Sequence, residues 1–455
     1  MSRITVQERV DEADLNRFHL IVLFWTFLVV VLDGYDLAVP GVALPAIMAN
    51  MKVTAAIAGL MASSALFGMV FGAIVLGAMA DRIGRRKVFA ASILLFSAFT
   101  MAAGFSTDPV MFSAARFFAG VGIGGALPNA VAHMSEYAPR RSRGRLVGLM
   151  MCGYTIGSVL AALIGKQCIE VYGWRSVFVV AGIPLLIIPF VMASMPESLA
   201  YLVKTGKQAE LRKVLRQILP NQAFAPDVVF VGQSQGRGGR TPLGQLFADG
   251  RGTSTVLIWV SFFMGLFMLY AMSTWLVTLL TRSGHTLGAA LTFLLVYNAG
   301  VIVGTIIGAW VGDRFNLKWV LAFFYTMGAV SLAALGYAPN QKVLFVLIAV
   351  VGASVVGTQN LCYAYTGQFY PLASRSLGLG AAAGVGRVGA IVAPLLLGVL
   401  VNLNLPATVC FMAIAFASAM GAVAIASVNH RRNASANPGN GNLEFEGPAS
   451  ISTRH

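Results

Sequence analysis

Charge is scarce in this chain: only 11% of its 455 residues are Asp, Glu, Lys or Arg, against about 25% in soluble proteins. A chain so poor in charge cannot cover a globular surface facing water, which excludes an ordinary soluble enzyme. Cysteine is rarer still. Cys152, Cys168, Cys362 and Cys410 lie in or at the ends of apolar stretches and form no CxxC pair, so they read as small packing residues and not as disulfides or metal ligands. No glycine-rich loop ends in the Lys-Ser or Lys-Thr that would hold a nucleotide phosphate and its magnesium. The N-terminus lacks a cleavable leader pattern, so the first apolar segment is expected to target the chain itself.

Apolar sequence is what remains. Hydrophobic residues make up 57%, and the mean hydropathy of +0.77 is spread over many separate stretches. A span needs about 20 apolar residues to cross roughly 30 Å of hydrocarbon. Twelve such stretches are expected, near 20–44, 54–80, 87–106, 109–134, 144–168, 175–195, 255–280, 287–311, 318–338, 342–366, 376–401 and 406–428. Each must be helical, because a span in lipid has to satisfy its own backbone hydrogen bonds. The expected organisation is a cytoplasmic N-terminus (1–19), a six-helix bundle (20–195), a cytoplasmic linker (196–254), a second bundle (255–428) and a disordered cytoplasmic tail (429–455). The linker carries a basic helical pattern from Glu210 to Leu219, then a Gly/Gln/Arg-rich flexible piece from Gly232 to Arg240.

The net charge of +15 would point to nucleic acid in a soluble protein. Here it follows from the positive-inside rule. Arg3, Arg9 and Arg17 precede the first span; Arg82, Arg85, Arg86 and Lys87 follow the second; Arg140, Arg141, Arg143 and Arg145 follow the fourth. The other side has Lys52, Lys166, Arg175, Arg282 and Lys342. Both termini are therefore expected in the cytoplasm, with no nucleic-acid partner.

The two halves resemble each other. At an offset of 232 residues, Gly68 falls on Gly300, Gly72 on Gly304, Asp81 on Asp313, Arg82 on Arg314 and Arg86 on Lys318. Pro139 falls on Pro371, Arg143 on Arg375 and Gly157 on Gly389, while Glu136 meets Gln368 and Tyr137 meets Phe369. An ungapped run at one offset marks an internal duplication, the pattern of a transporter built around a central site.

A few charges stand where charge is expensive. Asp33 and Asp36 lie within the first span, and each costs about 2.5–3.5 kcal/mol there. Spaced i, i+3, they share a helix face, and two adjacent carboxylates do not easily both stay ionised. One of them holding a proton is what a proton carrier requires; the alternative is a fixed counter-ion for a buried cation. Arg116 in the fourth span is the candidate for that cation. Arg387, midway along the eleventh span, has no acidic partner in its own half, so it serves either an anionic substrate or a salt bridge to the other half. Tyr297, Asn298, Gln359, Asn360 and Tyr363 are candidate substrate-binding groups. Tyr270, Trp275, Phe117 and Phe118 are further aromatics at similar depth, though membrane aromatics are often packing residues. His133 beside Glu136 reads as a satisfied polar contact or a proton relay. Between the second and third spans runs Gly77-Ala78-Met79-Ala80-Asp81-Arg82-Ile83-Gly84-Arg85-Arg86-Lys87. Its Asp81, and Asp313-Arg314 in the second half, suit a charged latch that holds one conformation.

This loop resembles the signature of the major facilitator superfamily, and Pro196-Glu197-Ser198 resembles that superfamily's segment after span six. Asp33-Gly34-Tyr35-Asp36 is similar to the DGxD motif of its aromatic acid:proton symporters, bacterial importers of benzoate, 4-hydroxybenzoate and related ring acids. The resemblance covers residues 15–430 and implies an all-α fold of twelve transmembrane helices in two six-helix pseudo-repeats. It implies functional roles for Asp33, Asp36, Asp81, Arg116, Asp313, Arg375 and Arg387. The second loop departs from the signature: it lacks the Gly-Arg-Arg ending and has Lys318 near where relatives carry histidine, which argues against a histidine gate. The fifth span lacks the Gly-Pro pair of drug antiporters, which argues against export.

The expected function is secondary active import of a small aromatic carboxylate by proton symport with alternating access. The chain is expected to work as a multi-pass monomer of the bacterial inner membrane, without cofactor or metal. Asp33, Asp36 and Arg116 are expected to couple the proton. Arg387, with the five polar groups named above, is expected to bind substrate; Gly77, Asp81, Arg82, Glu136, Asp313, Arg314 and Arg375 are expected to gate. A symporter of a non-aromatic metabolite acid such as muconate or a dicarboxylate is the alternative within transport. A membrane chemoreceptor would need a signalling domain, and an enzyme would need a nucleophile, metal set or cofactor loop; neither is visible in the sequence.

Overall fold

The computed structural model describes residues 3–220, 229–231, 243–248, 250–338, 340–371 and 374–429. Among them are twelve helices long and apolar enough to cross a membrane. They are α1 (Arg17–Met51), α2 (Ala55–Ile83), α3 (Arg85–Gly104), α4 (Pro109–Tyr137), α5 (Arg143–Tyr172), α6 (Arg175–Ser194), α7 (Gly252–Arg282), α8 (Leu287–Arg314), α9 (Leu317–Leu335), α10 (Gln341–Phe369), α11 (Arg375–Asn402) and α12 (Ala407–Ser427). Twelve crossings place the start of α1 and the end of α12 on one face, here called the basic face. The Gly232–Arg240 piece and the tail beyond residue 429 lie outside the described residues.

Short polar caps start many of these helices. The Asn16 side chain accepts hydrogen bonds from the Phe18 and His19 amides at 3.0 and 3.4 Å, and Asp108 accepts from Val110 and Met111 at 2.9 Å. Thr54, Thr286, Asn316 and Asn340 do the same for α2, α8, α9 and α10. Each satisfies amide donors that the first helical turn leaves open.

Three features depart from the sequence expectation. Helix α1 does not end near 44 but continues through Pro40 and Pro45 to Met51, because neighbouring helices accommodate the freed backbone groups. Helix α6 is interrupted by a 3₁₀ turn, Ile183–Ile187, between Arg175–Val180 and Ile188–Ser194; Pro184 and Pro189 remove the donors that a continuous helix needs. The structure is helical except for β1 (Arg3–Thr5), which pairs in parallel with β2 (Val229–Val231). The linker helix runs Gln208–Ile218, with Leu211, Leu215 and Ile218 buried. Its last turn is tied to the start of α1: Asn16 Nδ2 donates to the Gln217 and Ile218 carbonyls at 2.9 and 3.0 Å.

The duplication is visible in the packing. Gly68 and Gly72 of α2 lie against the Phe117 and Val121 carbonyls of α4, and Gly300 and Gly304 of α8 lie against Ala349 and Ala353 of α10, at the same offset. Gly157 likewise meets Val31 where Gly389 meets Phe263. A Cβ at any of these positions would overlap backbone, so glycine sets the close crossing. Between the halves, α2 packs on α11, α5 on α8 and α1 on α7. Hydrogen bonds from Ser63 Oγ to the Ile391 carbonyl (3.0 Å) and from Lys166 Nζ to Thr292 Oγ1 (2.9 Å) join the halves towards the face opposite the termini.

Candidate functional site

The crossing of the halves leaves a small cavity at mid-depth, about 50 Å³, walled by α1, α2, α4, α5, α7, α8 and α10. That is room for a few waters. Pairs of wall residues stand at the duplication offset: Ala38 with Tyr270, Ala65 with Tyr297, and Leu66 with Asn298. In each pair the first half contributes an apolar side chain and the second a polar one. The copies have divided the work.

On the first half's side, Asp33, Asp36 and Arg116 are all buried, about 1% exposed. They are not equivalent. Arg116 Nη1 donates to Asp36 Oδ2 at 3.0 Å and to Thr100 Oγ1 at 2.6 Å, and its Nη2 donates to the Asp36 carbonyl at 3.1 Å. Arg116 thus grips both the side chain and the backbone of α1 at this point. Asp33 Oδ1 has no hydrogen-bond partner among the described residues, and it lies in the fields of Asp36 and, across the halves, Arg387. The i, i+3 spacing placed both acids on one helix but could not show which one Arg116 would take.

On the second half's side, Arg387 is half-buried and makes no ion pair among the described residues. Its field reaches Asp33, Tyr270 and Tyr363, of which Tyr270 lines the cavity. Among the described residues the buried Tyr297 hydroxyl and the buried Gln359 amide atoms make no hydrogen bond of good geometry, with Tyr363 beside Gln359. Unpaired buried polar groups are costly, and a polar ligand would satisfy them. Asn298 lines the cavity, its Nδ2 donating to the Leu294 carbonyl at 2.9 Å. Tyr363 is 42% exposed and packs edge-on to Phe262. Asn360 is exposed and donates to Thr305 of α8 at 3.5 Å, so it is not part of the cavity wall. Trp275 donates to the Pro394 carbonyl at 3.1 Å. Phe118 stacks on Phe99 and is exposed, and Phe117 packs against Phe71; neither lines the cavity.

Tyr154, Thr155, Ser158, Ser273 and Thr274 also line the cavity, and none of them is among the residues expected from the sequence. A signal was present: the 232-residue offset pairs Thr155 with Arg387. Gly34 lets the α5 backbone at Tyr154 approach α1 directly, which brings that side chain beside Asp33.

At the basic face, Gly77 meets nothing that a Cβ would touch. Asp81, Arg82, Asp313, Arg314 and Arg375 are exposed and free of ion pairs among the described residues; Arg314 lies over the Trp310 ring at 4.1 Å, and the Asp81 carbonyl accepts from Lys204 Nζ at 3.0 Å. The ionic contacts of this loop are made elsewhere. Arg85 pairs with Glu136 at 2.7 Å, and Glu136 also accepts from Ser198 Oγ at 2.8 Å. Gly84 turns with φ +96°, where a side chain would be strained, and the Glu197 carboxylate sits against it while accepting from the Arg86 and Ser198 amides at 3.1 and 3.0 Å. At the duplication offset Arg85 falls on Leu317 and Glu136 on Gln368, so the first half alone carries this pair. His133 is buried between the Phe89 and Tyr137 rings, its two nitrogens unpartnered among the described residues, which is not the satisfied polar contact expected.

Comparison with known proteins agrees with this architecture. The chain matches the Major Facilitator Superfamily over residues 26–307 and 280–453. It is 40% identical to the benzoate transport protein of Acinetobacter baylyi, covering 95% of this chain and 94% of that protein. It is 33% identical to the 4-hydroxybenzoate transporter PcaK of the same organism, covering 93% and 94%. Among solved structures, the partially occluded inward-open xylose transporter XylE of E. coli superposes with a TM-score of 0.71 at 17% identity, over 89% of this chain and 98% of that one. A bacterial homologue of the lysosomal transporter Spinster gives 0.68 at 16%, over 91% and 95%. On this evidence the chain belongs to the major facilitator superfamily of membrane transporters.

Proposed function

We propose that this protein imports a small aromatic carboxylate across the bacterial inner membrane by proton symport, with both termini in the cytoplasm. The relatives named for benzoate and 4-hydroxybenzoate support the substrate class. The observation that carries the coupling is the unequal fate of the two acids: Arg116 pairs with Asp36, while Asp33 makes no ion pair among the described residues, its Oδ1 is unpartnered there, and it lies in the field of Arg387.

In this reading Asp33 takes a proton in one orientation of the cavity and gives it up in the other. Arg387 holds the substrate carboxylate, and Tyr270, Tyr297, Gln359 and Tyr363 surround the ring. Substrate bound to Arg387 withdraws that cation's attraction from Asp33 and so favours proton uptake, which couples the two binding events through charge. The Ser63→Ile391 and Lys166→Thr292 bonds close the outer side, while Asp81 and Arg375 make no ion pair among the described residues. In this reading Asp81 with Arg375 latches the inner side when the halves rock.

Uptake of labelled benzoate and 4-hydroxybenzoate into membrane vesicles, with and without a protonophore, tests the proposal. Accumulation that collapses when the proton gradient is dissipated is the expected result. Accumulation independent of the gradient refutes the coupling. Preferential uptake of cis,cis-muconate or succinate over ring acids refutes the substrate class.

A further inference from the structure

A second cleft, about 580 Å³, opens at the basic face between the start of α1, the end of α6 and the linker helix Gln208–Ile218. Its wall carries three cations, Arg86, Lys213 and Arg216, above an apolar floor that includes Phe18, Ile21 and Met195. Two acids also line it, but both are engaged. Glu197 accepts from two backbone amides, and Glu210 pairs with Lys207 at 3.5 Å. Among the described residues Arg86, Lys213 and Arg216 form no ion pair, and Arg86 Nε is buried without a partner.

The cleft lies where apolar spans give way to polar sequence, at the depth of lipid headgroups. The helices that floor it expose large apolar side chains along their lengths: Ile21 and Phe24 on α1, Leu186 and Phe190 on α6. Unpaired cations at the top and an apolar track below match a molecule with an anionic phosphate head and acyl tails. A small free anion would use the cations and leave the track empty.

We propose that this cleft is a binding site for an anionic phospholipid, whose phosphate sits among Arg86, Lys213 and Arg216 and whose tails run down the α1–α6 surface. Because Lys213 and Arg216 ride on the linker helix, which Asn16 ties to α1, the bound lipid pins that helix to the membrane.

The purified full chain in an uncharged detergent is titrated with phosphatidylglycerol and, separately, with phosphatidylcholine, and retention is read by native mass spectrometry. Phosphatidylglycerol is expected to be held preferentially. The double variant Lys213→Gln/Arg216→Gln is expected to weaken it about thirtyfold, roughly fivefold for each charge removed. Lys342→Gln, an exposed lysine on the opposite face, is expected to leave binding unchanged. Should the double variant melt below wild type in phosphatidylcholine, Lys213→Gln alone serves, with about a fivefold effect expected. Equal retention of both lipids, unchanged phosphatidylglycerol binding in these variants, or displacement of the lipid by inorganic phosphate overturns the proposal.

Discussion

Replacing Asp33 and Asp36 one at a time by asparagine is expected to separate stability from coupling. In the Arg116–Asp36 pair the charges stand 3.0 Å apart, wholly buried. With an effective dielectric of about 20 their attraction is about 5–6 kcal/mol, much of it offset by the cost of removing both ions from water. Asp36→Asn keeps that cost for Arg116 and loses the attraction, so a destabilisation of about 3–5 kcal/mol is expected. Adding Arg116→Gln, which removes the stranded charge, is expected to recover much of the loss. Asp33 has no such partner, and Asp33→Asn removes a buried carboxylate without stranding a cation. Its stability should be unchanged or higher while uphill uptake is lost; exchange of labelled for unlabelled substrate, which needs no net proton movement, should survive. Thermal melting of the purified variants and parallel uptake and exchange assays in proteoliposomes read both quantities. Equal loss of stability in the two single variants would refute the assignment of Arg116 to Asp36 alone. Uphill accumulation at native rates by Asp33→Asn would refute its role as the carrier.

Further outcomes follow from the same geometry. Arg387→Ala should weaken ring-acid binding about ten- to a hundredfold, the worth of a charge-assisted hydrogen bond, with Arg387→Lys recovering part of it; equilibrium binding of benzoate measures this, and unchanged affinity would remove Arg387 from the site. Gly84→Ala forces a side chain into a positive-φ turn against the Glu197 carboxylate and should cost about 1–2 kcal/mol, read as a lower melting temperature. Glu136→Gln strands the half-buried Arg85 and should cost about 1–3 kcal/mol; the charge-swapped pair Arg85→Glu/Glu136→Arg should melt above either single swap if the ion pair itself matters.

Much of the architecture was legible because it depends on quantities that vary along one dimension. The twelve spans follow from run length and hydropathy, and the duplication follows from one offset. Asp33, Asp36, Arg116 and Arg387 announce themselves by the cost of charge at lipid depth. The shape of α6 was less legible: its prolines were in view, but a 20-residue apolar run reads as one span until the missing donors are counted. Cavity residues such as Tyr154 and Thr155 were hidden because tyrosine and threonine are unremarkable in a membrane helix. Only their position opposite Gly34 and at the offset partner of Arg387 gives them meaning. At the basic face the loop motif drew the eye to Asp81, whereas the acids in contact are Glu136 and Glu197, brought in from α4 and from the segment after α6.

The order of residues alone determined that this chain crosses a membrane twelve times, that its halves are copies, and that few charges would be buried between them, since the cost of putting charge in hydrocarbon does not depend on the partner. Which charges meet was decided by the tertiary structure. Arg116 chooses Asp36 over Asp33 because the crossing of α1 and α4 brings its guanidinium to the Asp36 backbone as well as to its side chain. Ion pairing falls steeply with distance, and only the packed helices set that distance.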